Sequence, residues 1–406
     1  MSVSLSSMSN ICKQASLCGG CALIKVPYEE QLKQKVSAVA KLLEPFYTQN
    51  IKVNPSVLTK YYRNKIELSF THQVVHKEPL NKKIKRDKSE PLEFEDVLGF
   101  RQMGRWDRSV NLTDCFLFNQ NLTWFIYKIN LWAKNKNISF YDQRKHTGVL
   151  RTLMMRQSFN EKGGMLVFIS QAPFDTEGLV EVCHQVYPEY SVLTAINDGL
   201  SDASPIKDLK VLSGSATMQE ALLVDDKKIV FTLSPQSFFQ TNTKTANLMY
   251  QIVRNAVKEI EPETLYDLYG GAGSFSLTNA DLVKKSFCVE CVPEAVENGR
   301  QNAALNNIKN VDFICQTTED FLAQNKIESK NSLIILDPAR AGVHPRACEL
   351  LAGSGVKNIL YISCNPKTLA ENLAVLTKNY KVKKVQCFDF FPNTKHIETF
   401  AELELL

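Results

Sequence analysis

The sequence predicts an α/β protein: a doubly wound, largely parallel C-terminal sheet preceded by a β-rich α+β front half. Three observations carry this expectation. After Ser237, strand-like and helix-like runs alternate to the end, as a parallel sheet with helical crossovers requires. An apolar run, Leu265 to Tyr269, opens into a turn containing Gly270, Gly271 and Gly273, where the backbone must bend sharply and approach a ligand closely. Upstream, the runs are short, β-rich and punctuated by turn residues. The expected domains are therefore 1–237 and 238–406.

Taken in order, Pro27 to Leu43 reads as an amphipathic helix, with Leu32, Val36, Val39, Ala40 and Leu43 at helical spacing. This helix, extended to about residue 45, is a candidate to pack on the C-terminal domain. Ile66, Leu68 and Phe70 alternate as in a strand, and the polar run 80–90 reads as a mobile hairpin tip. Gln120 to Trp132 reads as helix, and Val149 to Gln171 as a hairpin about Gly163 and Gly164. Short strands are expected over 191–231. In the C-terminal half, strands are expected at 265–269, 286–289, 332–336 and 359–362, with a half-buried strand beginning near Glu398.

Composition narrows the class. No stretch of the 406 residues approaches the roughly 20 apolar residues of a membrane span. The Ser-rich start, Met1 to Asn10, lacks the apolar core of a signal peptide. A cytoplasmic, monomeric protein with no membrane partner is expected. Residues 1–150 carry 23 Lys+Arg against 13 Asp+Glu, and the remainder 25 against 30, so the basic surplus lies in front. That asymmetry suits a polyanion-gripping module, or simply a solvated basic surface. Eleven cysteines, an odd count, argue against a complete disulfide framework. Cys12, Cys18 and Cys21 are crowded together, which in a reducing compartment favours metal or cluster binding.

The glycine turn lacks the lysine of a P-loop and the spacing of a dinucleotide fingerprint. Glu290 ends the next strand, 20 residues beyond Gly270, where a carboxylate can accept bonds from both ribose hydroxyls. A ligand with adenosine but no pyrophosphate fits, and S-adenosylmethionine is the candidate; a purely structural glycine turn is the alternative. Asp337 and Cys364 also follow apolar strands, so with Glu290 they should converge on one rim of the sheet. Cys364, flanked by polar residues and Pro366, is placed as a nucleophile would be, although most isolated cysteines are small buried hydrophobes. Position alone makes Glu398 a solvent-facing strand residue.

Together, SFFQTN (237–242), DLYGGAGSFSL, LDPARAG (336–342), SCNP (363–366) and FPNTKHIE (391–398) resemble the RNA (uracil-5-)-methyltransferases in content and order. YYRNKIELSF, LGFRQMGRWDRSVNLTDC and GVLRTLMMRQS are similar to that family's central domain, so the resemblance runs from about Cys12 onward. It implies a Rossmann-like class I S-adenosylmethionine-dependent methyltransferase domain. It further implies Cys364 as the nucleophile that adds to carbon 6 of uracil, and Glu398 as the base that removes the carbon 5 proton. The cofactor contacts it implies are Gln240, Tyr269, Ser274, Glu290, Thr317 and Asp337. Ala339 and Ser274 depart from the proline and asparagine common in the family.

Cys-x5-Cys-x2-Cys with Cys115 resembles the iron–sulfur branch, implying a [4Fe–4S] cluster on Cys12, Cys18, Cys21 and Cys115 within the front domain. Spacing alone would equally accept zinc. The implied partner is RNA, with large-subunit (23S) ribosomal RNA first and the transfer RNA T-loop second. Cys12, Cys18 and Cys21 lie close to the start of this sequence, so no N-terminal OB-like domain is expected ahead of them. Phe238 and Phe239 are candidates to stack on an extruded base, and either also suits core packing. Tyr61, Tyr62, Arg63, Lys65, Arg101, Arg105 and Trp106 offer mixed basic and aromatic character toward RNA. An iron–sulfur redox protein would leave SCNP and FPNTKHIE unexplained. A non-catalytic RNA-binding protein would not need both Cys364 and Glu398.

Overall fold

In the computed structural model, residues 12–75, 92–201 and 204–406 are described. The charged run expected as a hairpin tip at 80–90, and Met1 to Asn10, lie outside them. Along the chain come α1 (Tyr28–Leu43), β1 (Lys52–Asn54), β2 (Lys65–Val74), β3 (Phe94–Arg101), β4 (Ser109–Asn111), α2 (Leu122–Asn135), β5 (Leu150–Gln157), β6 (Gly164–Ser170) and α3 (Leu179–His184). Next are β7 (Tyr190–Ile196), β8 (Lys207–Ser213), β9 (Met218–Val224), β10 (Lys227–Leu233), α4 (Thr243–Ile260), β11 (Thr264–Leu268), α5 (Ser274–Asn279) and β12 (Lys285–Glu290). The last are α6 (Pro293–Leu305), β13 (Val311–Cys315), α7 (Thr318–Gln324), β14 (Ser332–Leu336), α8 (Pro345–Ala352), β15 (Asn358–Ser363), α9 (Pro366–Leu376), β16 (Tyr380–Phe388) and β17 (Glu398–Leu405). Among the described residues no helix is long and apolar enough to cross a membrane.

The chain divides into two compact units. The first comprises residues 1–25, 63–158 and 162–218, and the second 26–62, 159–161 and 219–406. Residues 26–62 and 219–237, which fall within the front domain expected from sequence, thus lie in the second unit.

The first unit is built on a seven-stranded mixed sheet ordered β4-β3-β2-β5-β6-β7-β8. Strand β2 buries Ile66, Leu68 and Phe70 at every second position, the pleat's own period. Helix α2 covers this face with Leu122, Phe125, Ile126, Ile129 and Ala133, the stripe of an amphipathic helix. Strands β5 and β6 pair antiparallel, closing from Gln157 onto Gly164. A Cβ at Gly164 would sit 2.2 Å from the Arg156 carbonyl.

The second unit holds an eight-stranded sheet ordered β1-β16-β17-β15-β14-β11-β12-β13. Within it β11 to β15 run parallel, and β17 runs antiparallel to both β15 and β16. Its core includes Leu268, Val289, Ile334, Leu336, Ile359 and Tyr361 from the strands, with Val39 and Leu43 from α1.

Two details depart from the sequence expectation. Strand β17 is flanked on both sides, so its first four residues are all buried rather than alternating. On α1 the most enclosed side chains are Gln31, Lys35, Val39 and Leu43, while Ala40 is exposed. Polarity alone rotates that helix by one position, because two polar residues occupy core positions and satisfy themselves there.

Candidate active site

The sheet register gathers the site. Leu268 pairs with Val289 on one side and Leu336 on the other, Leu336 pairs with Tyr361, and Glu290 with Cys315. The carboxyl ends of five parallel strands therefore finish level. Tyr269, Glu290, Thr317, Asp337 and Cys364, at those ends or just beyond them, share one rim. Glu398 joins from the opposite direction. Ser363 pairs with Thr399 in the antiparallel ladder, so one further step sets Cys364 against Glu398. Only an antiparallel strand can bring its first residue to the rim where parallel strands end.

Local contacts fix the Cys364 loop. The Ser363 hydroxyl donates to the Asn365 carbonyl (3.0 Å) and accepts from the Asn365 amide (3.2 Å), closing a small ring around Cys364. The Asn365 amide group caps α9 and donates to the Arg340 carbonyl at 3.0 Å. Asp337 follows β14 three residues before Arg340 and takes no hydrogen bond on its carboxylate among the described residues.

Electrostatics bind these groups into one cluster. Burial, then the Asp337 carboxylate, lifts Glu398 to about 8, partly offset by the Arg340 guanidinium; its residue is only 4% exposed. Cys364 is lifted to about 11 by burial, then by Glu398 and Asp337, with Arg340 again pulling the other way. Crowding by protein atoms, then the Asp267 charge, lifts Asp337 to about 7, although the residue remains partly solvent-reachable. Desolvation and like charge penalise three acidic groups at once. Arg340 is the cation acting on both Cys364 and Glu398, and its guanidinium also lies 3.3 Å from His396 Nδ1. Nothing in the sequence pattern singles it out, since LDPAR points there only to Asp337. Asp267 escapes the sequence pattern as well. A carboxylate in an apolar strand is its signal, and it is fully buried, accepting from Ser276 N and Oγ at 2.9 Å each.

The glycine turn is shaped as a cradle. Tyr269 takes a left-handed φ of 65°, and Gly271 and Gly273 follow at 56° and 80°. That is an uncommon posture for a tyrosine. A Cβ at Gly273 would meet the Phe313 ring at 2.7 Å, whereas one at Gly271 would meet nothing within 4 Å, so the turn is open on its outer side. Glu290 accepts from Gly271 N (3.0 Å) and Val292 N (2.9 Å), which aims its carboxylate across the turn. Tyr269 Oη accepts from His344 N at 3.2 Å. Thr317 caps α7 through Asp320 N (3.2 Å), so its hydroxyl is already engaged. Ser274 opens α5 and bonds the buried Tyr250 hydroxyl. Gln240 is half-buried on the segment before α4. Beside it Phe238 is 77% exposed, while Phe239 packs on Phe231, with ring centroids 5.5 Å apart. An open cradle, a ribose-height carboxylate and the unbonded Asp337 fit the adenosine and methionine parts of S-adenosylmethionine.

In the first unit, Cys12, Cys18, Cys21 and Cys115 are half-buried free thiols. Three of them sit under a backbone N–H two residues on: Gln14 at Cys12, Gly20 at Cys18 (3.4 Å) and Leu117 at Cys115. Burial lifts Cys21 and Cys115 to about 12, and the neighbouring thiols add to both shifts. Among the described residues no group of three His, Cys, Asp or Glu is set to hold a single metal ion.

A family model described as tRNA (Uracil-5-)-methyltransferase matches residues 204–404. An uncharacterized RNA methyltransferase of Caldanaerobacter subterraneus subsp. tengcongensis is 33% identical over 405 residues, spanning 97% of this chain and 84% of that one. The chain belongs to the RNA (uracil-5-)-methyltransferase family. A second relative, an uncharacterized RNA methyltransferase of Bacteroides thetaiotaomicron, is 31% identical and spans 97% of this chain and 87% of its own. Among solved structures, Pyrococcus abyssi tRNA (uracil-54, C5)-methyltransferase, in complex with S-adenosyl-L-homocysteine, aligns with a TM-score of 0.76 at 25% identity. That alignment covers 95% of this chain and 86% of the Pyrococcus one. This family member is thus an enzyme with a methyltransferase α/β fold that uses S-adenosylmethionine and acts on RNA.

Proposed function

We propose that the enzyme methylates carbon 5 of one uridine in a structured RNA through a covalent adduct on Cys364. The observation that carries this is the register of β15 on β17, which sets Cys364 against Glu398 at the sheet rim. Carbon 5 of uracil is too weak a nucleophile on its own. The Cys364 sulfur adds to carbon 6, and the electrons displaced from the 5,6 double bond make carbon 5 nucleophilic. When bound, S-adenosylmethionine supplies the methyl group as an electrophilic sulfonium. Once carbon 5 is methylated, Glu398 takes its proton. Those electrons re-form the double bond and expel the thiolate. Arg340 steadies the anionic groups during both steps.

Glu290 serves the ribose, and Tyr269 and Ser274 line the glycine turn. Thr317, Asp337 and Gln240 complete the cofactor contacts. Phe238, exposed beside Gln240, suits stacking on the extruded base.

The four N-terminal cysteines are proposed to hold a [4Fe–4S] cluster with a structural, RNA-facing role. Backbone N–H groups over three sulfurs partly offset the burial that raises these thiols, which a bound metal would deprotonate. The four thiols lie close enough to raise one another's pKa, and an all-cysteine cubane takes one thiolate on each of its four irons.

The RNA we propose first is large-subunit ribosomal RNA, as the cluster-bearing branch implies. A T-loop uridine of transfer RNA is the second reading, favoured by the likeness to the Pyrococcus enzyme. Mapping 5-methyluridine in both RNA pools, with and without the enzyme, decides between them. A change in neither pool, with labelled methyl found on another base, would sink the reaction itself.

A further inference from the structure

Helix α1 carries two polar side chains where an apolar pair would pack as well. Gln31 is 1% and Lys35 4% exposed. Both reach the loop between β16 and β17 that delivers Glu398. Lys35 Nζ donates to Asp389 Oδ1 at 2.6 Å and to the Phe391 carbonyl at 3.1 Å. Gln31 and Asn393 pair reciprocally: Gln31 Nε2 donates to Asn393 Oδ1 (3.1 Å), and Gln31 Oε1 accepts from Asn393 N (2.8 Å). Asn393 is held there with a left-handed φ of 66°. Two more side chains reach the same loop: Asn242 donates to the Phe390 carbonyl (3.0 Å) and Tyr62 to the Pro392 carbonyl (3.2 Å). The backbone from Phe390 to Asn393 is thus gripped at every residue by groups from outside the loop.

A buried ion pair is a poor way to gain stability, because desolvating both charges costs about what their attraction returns. What it does give is one conformation. The gripped segment leads through residues 394–397 into Glu398, whose carboxylate must be held to within about half an ångström to meet a carbon-bound proton.

We propose that Gln31 and Lys35 are positioning residues for the base: α1 clamps residues 389–393 of the β16–β17 loop and thereby fixes where the Glu398 carboxylate stands. The proposal rests on the reading of Glu398 as the base. A clamp of this kind leaves Cys364 addition and methyl transfer intact and governs the proton-removal step alone.

The test compares Gln31→Met and Lys35→Met with wild type and with Glu398→Gln, all as full chains under single-turnover conditions. The two α1 variants should slow decay of the covalent protein–RNA adduct by about tenfold to a hundredfold, the scale of a misplacement near one ångström. Their methyl-transfer burst and cofactor affinity should stay at the wild-type level. With uridine deuterated at carbon 5, they should show a larger isotope effect on product release than wild type, which loosened packing alone would not produce. If Lys35→Met unfolds because Asp389 is left buried without its cation, the double variant Lys35→Met/Asp389→Leu carries the measurement. Wild-type adduct decay in folded Gln31→Met, or a burst lost in proportion to decay, overturns the clamp. If Glu398→Gln releases product without trapping an adduct, the base assignment fails instead. If it traps adduct while the α1 variants do not, only the clamp fails.

Discussion

Each of the two units carries partly buried thiols whose pKa burial raises, but their polar surroundings differ. In the first unit, three of the four clustered cysteines sit under backbone N–H groups, and the positive Arg63 pulls the fourth, Cys21, down. In the second, Cys364 faces the carboxylates of Glu398 and Asp337 with Arg340 as counterweight. Burial still raises all four clustered thiols, Cys21 and Cys115 to about 12, so the donors only offset part of that cost. Cys364, beside carboxylates, is held protonated at neutral pH; on the proposed mechanism a cationic cofactor would lower that barrier. Both settings keep the thiol protonated, but one is opposed by backbone donors and the other is reinforced by carboxylates, so on the proposed roles they need different triggers to ionise.

The largest effect should come from Cys364→Ala. Methyl incorporation and covalent RNA attachment should both vanish, because the other thiols near that rim, Cys291 and Cys315, lie toward the β12–β13 edge of the sheet, away from β17. Denaturing electrophoresis with labelled RNA reads both losses. A surviving adduct would move the nucleophile to another cysteine.

Next is Cys115→Ser. Purified anaerobically, it should lose the roughly four irons and four sulfides expected of the wild type, with methyltransferase-unit folding retained by circular dichroism. Stoichiometric zinc and no acid-labile sulfide in the wild type would break the contrast from the other side.

The acidic cluster then predicts opposite slopes with pH. Asp337 and Glu398 stand at about 7 and about 8, above ordinary carboxylates near 4. The folded state therefore holds protons that the unfolded chain releases, and stability of the second unit falls as pH rises from about 4 to about 8. Activity moves the other way, because the base form of Glu398 grows through about 8 and the Cys364 thiolate fraction keeps growing beyond it. Glu398→Gln should flatten the stability slope, seen by calorimetry, and trap the adduct. An unchanged slope would detach Glu398 from the cluster.

The smallest effect is expected from Glu290→Ala, which should weaken cofactor binding by about 1–3 kcal/mol through lost charged hydrogen bonds. Titration calorimetry at unchanged affinity would remove it from the ribose.

What the sequence showed well was whatever rests on local chemistry. The strand-turn-acid pattern at Gly270 and Glu290, the hairpin at Gly163 and Gly164 and the alternation of Ile66, Leu68 and Phe70 all appear where their residues demand. What it hid depends on neighbours. Glu398 looks like a solvent-facing strand residue because nothing local says that β17 is flanked on both sides. Arg340 goes unnoticed because its effect on Cys364 and Glu398 exists only once β14, β15 and β17 lie side by side. Gln31 and Lys35 read as the wet side of a helix, since their partners come from the loop before β17.

The ion pair from α1 also has a bearing on how the enzyme comes to life. Lys35 and Asp389 are separated by 354 positions along the chain, so their meeting closes one of the largest loops the polypeptide can form. Closing so long a loop costs entropy that few early contacts can offset, which favours late closure. On the proposed cofactor site, a partly refolded chain should bind S-adenosylmethionine before it can complete catalysis. Competence should lag behind ligand binding during refolding, by an interval set by the joint docking of α1 and β1 against the β16–β17 segment.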